Sequence, residues 1–212
     1  MHTARGLLQA RKLGCGEVGF VEIRLDAPGV VGKGLATALG GIRPRILLTA
    51  RHPSEGGARR LTPAQRRALL VEFLPAANAI DVELRSVPSL GAVLQEAKRR
   101  RATRVISFHD FRGTPNIATL RAVVRRASAA GADIVKIATH LRGSADLAVL
   151  LLLQGAARVP LATMGMGPLG KVSRLVLGAA GSRLNYGYLD KPQVSGQWPA
   201  AELALRLKEV MP

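Results

Sequence analysis

Short apolar runs rich in β-branched residues alternate along this chain with longer segments whose apolar positions recur every three or four residues. The runs at 18–25, 45–50, 79–84, 104–108, 132–137, 159–164 and 184–188 predict seven strands. The helical spacing between them predicts about eight helices, over 4–13, within 29–40, from 63 to about 75, from Ser89, after Thr114-Pro115, from Ser144, over 170–177 and over 199–210. Thr62-Pro63 and Thr114-Pro115 read as an N-cap followed by proline at the first helical position, and Ser89 and Ser144 read as N-caps. Strictly alternating strands and helices, with strands of the buried type, imply parallel βαβ units. A closed (β/α)8 TIM barrel accounts best for the pattern, with a doubly wound sheet as the alternative. The chain starts with a helix where a barrel has its first strand, so the expected barrel has that strand missing or truncated. No linker or shift of composition divides residues 1–212, and one barrel domain is expected over that span.

Charge changes the picture more than composition does. Thirty-one Lys and Arg against 14 Asp and Glu give a net charge of +17, with arginines crowded at 59–60, 66–67, 98–104 and 121–126. Such a surface attracts nucleic acid or acidic substrates. The basic residues are spread over the polar faces of expected helices, however, and only 3% of residues are aromatic, too few for a stacking platform. No helix-turn-helix, zinc-finger or RNA-recognition signature is present, so no nucleic-acid partner is expected. The longest apolar run, 147–153, falls far short of a membrane span, and Met1-His2-Thr3-Ala4-Arg5 does not resemble a signal peptide. A single cysteine, Cys15, allows no internal disulfide and agrees with a reducing cytoplasm.

Candidate chemistry lies at the strands. Lys136 sits within the apolar run Ile134, Val135, Ile137, Ala138. A buried ammonium costs several kcal/mol unless paired or neutralised. The two readings are a Schiff-base-forming amine and a strand-end charge that reaches water or a carboxylate. In a barrel, active groups gather at the C-terminal strand ends. There the sequence places Glu22, Arg24 and Asp26 on one face, with Asp26 read as part of an internal salt-bridge layer. Arg51 stands before the loop that contains Glu55-Gly56-Gly57, and its planar fork suits a carboxylate ligand. Asp81 and Glu83 read as counter-ions for arginines. His109 at the end of its strand suits acid–base work near neutral pH. Gly170-Lys171-Val172-Ser173-Arg174 joins a helix N-terminus to an arginine, a good anion site. The polar segment 190–198 is placed to act as a lid. The histidines show no metal-ligand spacing.

In order, Glu22-x-Arg24-x-Asp26, Thr49-x-Arg51 with Glu55-Gly56-Gly57, Asp81-Val82-Glu83, Ser107-x-His109-Asp110-Phe111 with Thr114-Pro115, Ala132-Asp133-x-Val135-Lys136-Ile137, Met166-Gly167 leading to Gly170 and Ser173-Arg174, Gly181-Ser182, and Gly196-Gln197 resemble the type I 3-dehydroquinate dehydratase family, from about residue 4 to the C-terminus. The resemblance implies a cofactor-free, metal-free dehydration of 3-dehydroquinate to 3-dehydroshikimate in the shikimate pathway. In it Lys136 forms an imine with the C3 ketone. His109 takes the C2 proton and returns it to the departing C1 hydroxyl, and Glu55 positions or tunes His109. Glu22, Arg24, Arg51, Arg174 and Gln197 hold substrate. Gln193 stands at the lid position where the family usually has serine, followed by Val194-Ser195 instead of Ala-Pro. A homodimer is also implied.

Two other functions fit parts of the sequence. A class I aldolase also uses a barrel-strand lysine, and Gly181-Ser182 is its candidate phosphate loop. A non-catalytic basic nucleic-acid-binding protein would account for the charge alone.

Overall fold

The structure is a computed structural model that describes residues 3–14, 18–32 and 34–211. The readings on Met1-His2 and Cys15 fall outside those residues. The chain divides into two compact units, Met1–Val105 and Ile106–Pro212.

In the first unit the order is α1 (Ala4–Ala10), β1 (Phe20–Arg24), α2 (Leu35–Gly40), β2 (Arg45–Thr49), α3 (Pro63–Phe73), β3 (Ala79–Glu83) and α4 (Val87–Arg99). β1 pairs with β2 in parallel, Glu22 opposite Leu47 and Arg24 opposite Thr49, and β2 pairs with β3, Thr49 opposite Asp81. Ile23, Leu25, Leu48, Leu70, Ile80, Val82 and Leu90 are fully buried in its core. β4 (Thr103–Asp110) runs through the division between the units.

The second unit continues with α5 (Ile117–Ala129), β5 (Ile134–His140), α6 (Ser144–Gly155), β6 (Leu161–Met166), α7 (Gly170–Ala179) and α8 (Ala200–Val210). β5 and β6 pair in parallel over six residues, from Val135 opposite Leu161 to His140 opposite Met166. Lys136 stands opposite Ala162. Leu120, Ile137, Leu150, Ala162 and Leu177 are fully buried. No helix among the described residues is long and apolar enough to cross a membrane.

Six of the seven expected strands are present among the described residues. The seventh, at 184–188, is not a strand. The chain comes alongside β6, and Arg183 N donates to Leu161 O at 2.9 Å. Side chains then take the groups a ladder would use. Thr163 N donates to Ser182 Oγ at 3.0 Å, and Arg174 Nε donates to Tyr186 O at 3.0 Å. Only an isolated bridge, Tyr188 with Pro199, remains.

Helix starts divide similarly. The Thr62-Pro63 reading holds, with a reciprocal capping box between Thr62 and Gln65. α5 is instead capped by Asn116, whose side chain accepts from Thr119 N at 2.9 Å. The Thr114 hydroxyl is engaged elsewhere, with Thr139 Oγ1 at 2.8 Å and His140 O at 3.1 Å. α4 begins before Ser89, which donates to Ser86 O inside the first turn. Gly143 occupies the N-cap of α6, and Ser144 is its first residue.

Candidate active site

The first unit gathers its carboxylates and arginines at the C-terminal ends of β1–β3. Arg24 and Asp26 form a two-bond fork, Nε to Oδ1 at 2.8 Å and Nη2 to Oδ2 at 2.7 Å. Asp26 is fully buried and also accepts from Arg51 N and Ala58 N at 3.0 and 2.8 Å. Burial alone would push its carboxyl up. The Arg24 fork and charge and the two backbone N–H groups outweigh that and hold it below the ordinary 3.8. The salt-bridge reading of Asp26 is therefore correct, and its bonds tie β1 to the glycine-rich loop.

Arg51 is 3% exposed. Its Nη1 donates to Asp81 Oδ1 at 3.1 Å and Glu83 Oε1 at 3.2 Å, and its Nη2 to Asp81 Oδ2 at 2.8 Å. Glu22 Oε1 lies 3.8 Å from Nη2 and accepts from the Thr49 hydroxyl at 2.7 Å. Burial works against this cation, yet the carboxylates of Asp81 and Glu83, with Glu22, raise its pKa above the usual arginine value. Asp81 and Glu83 are thus counter-ions, as expected. The Arg51 fork faces two internal carboxylates, where the sequence suggested a ligand's carboxylate.

Arg66 is a residue that sequence reasoning missed. It was grouped with Arg67 on a polar face, but it is 1% exposed. Its guanidinium bonds Ala50 O at 2.6 Å, Ser86 Oγ at 2.8 Å and the Glu83 carboxylate. Leu70 and Phe73, four and seven residues on and both buried, are the local signs that this helix face points inward.

Glu55 ends a single 3-10 turn, Pro53–Glu55, and is 6% exposed. Arg85 Nε lies 3.7 Å from Glu55 Oε1, and Arg85 Nη1 bonds the Ser54 hydroxyl. Gly56 takes φ +85°, and a Cβ at Gly57 would lie 2.6 Å from Arg51 O, so this close turn requires both glycines. His52 is held below its ordinary pKa by partial burial and then by the Arg66 charge.

The second unit holds Lys136, His109, Arg174, Gln193 and Gln197. Lys136 is 4% exposed, and its Nζ lies 4.1 Å from the centroid of the Tyr186 ring. Tyr186 is a second residue that the sequence did not single out, because it fell inside the expected seventh strand. His109, next to the last residue of β4, is half-buried and stacks on Phe111 with centroids 6.5 Å apart. Arg174 is 1% exposed. It donates to four carbonyls: Tyr186 at 3.0 Å, Gly165 and Gly170 at 2.8 Å, and Gly196 at 2.6 Å. No acidic side chain pairs with it among the described residues, and burial pulls its pKa down to about 10.

The polar segment after Tyr188 rests on α7. Trp198 Nε1 donates to Lys171 O at 3.0 Å, and the Lys171 ammonium lies over the indole at 4.4 Å. Gln197 Oε1 accepts from Gln193 N and Val194 N at 2.6 and 3.4 Å, so the two predicted lid residues meet in one turn. Gly181 closes the end of α7 at φ +92°, and the Ser182 hydroxyl is engaged with β6, so Gly181-Ser182 is a structural turn and not a phosphate loop. Among the described residues no group of three or more His, Cys, Asp or Glu could hold a metal ion.

Alternating strands and helices, with ionisable groups fixed at strand ends, place this chain among the α/β enzymes. More narrowly, it belongs to the type I 3-dehydroquinase family, whose sequence model matches residues 3–210. It is similar to the 3-dehydroquinate dehydratase of Methanocella arvoryzae, at 35% identity over 84% of this chain and 80% of that one. It is also similar to the enzyme of the same name from Thermococcus gammatolerans, at 33% identity over 89% and 86%. Among solved structures it resembles the type I enzyme of Clostridium difficile, with a TM-score of 0.84 and 25% identity over 99% of this chain and 89% of that one. The Aquifex aeolicus enzyme gives 0.83 and 29% over 97% and 93%. Membership carries the activity in the relatives' names, a hydro-lyase step that dehydrates 3-dehydroquinate in the shikimate pathway.

Proposed function

We propose that the dehydration runs through an imine on Lys136, with His109 as the proton carrier. The observation that carries this reading is Lys136 itself: a lysine 4% exposed on a strand, its Nζ against the face of Tyr186. An aromatic face favours positive charge at that atom, and the intermediate of a Schiff-base route is a cation there. The amine adds to the C3 ketone and, with one proton from solvent that the final hydrolysis returns, water leaves and gives an iminium. The iminium draws electrons from the adjacent C–H bond, so the C2 proton can pass to His109 and leave an enamine. The enamine expels the C1 hydroxyl, which takes the proton back from His109 and departs as water. Hydrolysis of the conjugated iminium frees 3-dehydroshikimate and restores the amine.

Arg174 suits the substrate's carboxylate, because it is a buried cation whose partners are carbonyl dipoles. Gln197 and Gln193 serve the same substrate from the segment that rests on α7. Glu55 tunes His109, and Glu22, Arg24 and Arg51 hold substrate hydroxyls. For Arg51, whose fork is engaged with Asp81 and Glu83, that role falls to contacts made beside the ion pairs. The reaction needs no cofactor. The covalently modified comenic acid named for the Clostridium difficile relative supports covalent chemistry in this family. The same reading takes residues 1–212 as a single (β/α)8-type barrel domain, homodimeric and cytoplasmic. The TM-scores to whole family enzymes support the barrel.

Borohydride added with 3-dehydroquinate should reduce the imine and add the ligand's mass irreversibly at Lys136, located by peptide mass spectrometry. Lys136→Ala should give no adduct and no turnover. An adduct that survives this substitution would sink the assignment.

A further inference from the structure

The helix side of β6 carries an open cavity of about 370 Å³ that the dehydratase chemistry does not use. Its position relative to Lys136 follows from strand register. Val135 stands opposite Leu161 and Lys136 opposite Ala162, and neighbouring residues of a strand point to opposite faces. Leu161 lines the cavity, so the cavity lies behind the face that presents Lys136.

The walls are apolar: Val124 from α5, Leu153 at the end of α6, Val159 and Leu161. The rim is basic. Arg121 and Arg125 lie one turn apart on α5, on the same face as Val124 and Ser128, and Arg158 reaches the rim from the turn after α6. No acidic residue lines the cavity. Some surface arginines are paired within the chain: Arg99 and Arg100 both pair with Glu96. Arg121, Arg125 and Arg158 have no ion pair among the described residues. Ser128 adds a buried hydroxyl with no hydrogen-bond partner among those residues, which is rare for a buried polar group.

The volume falls within the range of small-molecule sites, roughly 300–1,000 Å³. An apolar floor under a three-arginine rim matches a ligand with an apolar body and one anionic end. A free phosphate would leave the floor unused. A nucleic-acid backbone would meet the arginines and leave the cavity empty. A second copy of this chain placed symmetrically here would bring three more guanidiniums against these three.

We propose that this cavity binds a small organic carboxylate with an apolar body, the body against Val124, Leu153, Val159 and Leu161 and the carboxylate among Arg121, Arg125 and Arg158. The proposal does not depend on the imine chemistry at Lys136.

The test titrates the full chain with 3-phenylpropionate and with its neutral isostere 3-phenylpropanamide, following backbone amide shifts by NMR. The acid should bind several-fold tighter than the amide, because three solvent-exposed guanidiniums attract the carboxylate and not the neutral amide. The largest shifts should fall within 121–128 and 153–161. Arg125→Gln combined with Arg158→Gln should bring the acid down to the amide's affinity. Ala156→Trp, at an exposed position on the cavity lining, should abolish binding of both, with the unfolding midpoint measured to show that the fold persists. Equal affinity of acid and amide, no binding, shifts centred elsewhere, or displacement of the acid by 3-dehydroquinate would each overturn the proposal.

Discussion

Arg66 and Arg67 are neighbours on α3, and the fold treats them oppositely. Arg67 is exposed, while Arg66 is 1% exposed and spends its guanidinium on Ala50 O, Ser86 Oγ and Glu83. Arg66→Met keeps helix propensity and much of the volume but removes the cation. Glu83 would retain Arg51 at 3.2 Å, His52 N at 2.9 Å and the Ser86 hydroxyl at 2.9 Å. Even so, removing one partner of a buried pair costs about 3–5 kcal/mol. The orphaned Ala50 carbonyl contributes about 1–3 kcal/mol of its own. These overlap, because both belong to one network, so the expected loss stays near about 3–5 kcal/mol. For a chain of this size each kcal/mol lowers the unfolding midpoint by about 2–4 °C. The midpoint should therefore fall by about 6–20 °C. Arg67→Met should stay within about 0.5 kcal/mol of wild type. Thermal and urea unfolding followed by far-UV circular dichroism measure the midpoint and the free-energy loss of both variants. If Arg66→Met costs less than about 1 kcal/mol, or Arg67→Met costs as much, the carboxylate–arginine layer is not the structural element described above.

His109→Ala should still give the borohydride-trapped adduct on Lys136 while kcat falls by about 10²–10⁴; normal turnover would remove His109 from the proton path. Asp26→Asn should destabilise the protein at neutral pH. The folded carboxyl is held below 3.8, so its contribution is present above that value and is lost as the pH falls through the lower folded value. The gap between variant and wild type in urea midpoint should therefore close below about pH 4, and a gap that widens on acidification would contradict the assignment. Gly170→Ala places a Cβ 2.8 Å from Gly196 Cα and 2.9 Å from Gly196 O. It should push the 190–198 segment off α7, raise KM and leave imine trapping intact; an unchanged KM would mean that the segment does not serve the substrate.

Strands were legible wherever apolar and β-branched residues had to be buried, and the alternation of Glu22, Arg24 and Asp26 correctly foretold a charged layer. What stayed hidden was decided by partners distant in sequence. The 184–188 run has strand composition, but the Ser182 hydroxyl and the Arg174 guanidinium claim the groups that a ladder would need. Thr114 has the sequence of a cap, yet Thr139 and His140 engage its hydroxyl, and Asn116 takes the cap instead. Leu70 and Phe73 mark the Arg66 side of its helix as inward, but nothing local says that Glu83 and Ser86 wait there to pair a buried cation. The roles proposed for Lys136 and His109 rest on the ordered family motifs and not on physical pattern alone. His109 and Lys136 taken singly left two readings each.

The three deeply buried arginines differ in a way that bears on the substrate. Arg51 and Arg66 are closed off by carboxylates from their own unit, and the Arg51 charge is held firmly in place. Arg174 has carbonyls where the others have carboxylates. Dipoles fix its orientation without cancelling its charge, and burial destabilises it to a pKa of about 10. A site that keeps an uncompensated buried cation gains stability when an anion arrives. One of the anchors of Arg174 is Gly165 O on β6, and β6 pairs through Ala162 with Lys136 on β5. The cation suited to a carboxylate and the amine suited to a ketone are thus fixed to one pair of strands. A substrate that carries both groups, as 3-dehydroquinate does, would be held at two points of the same unit, which supports a positioning role for β5 and β6 in the proposed imine step.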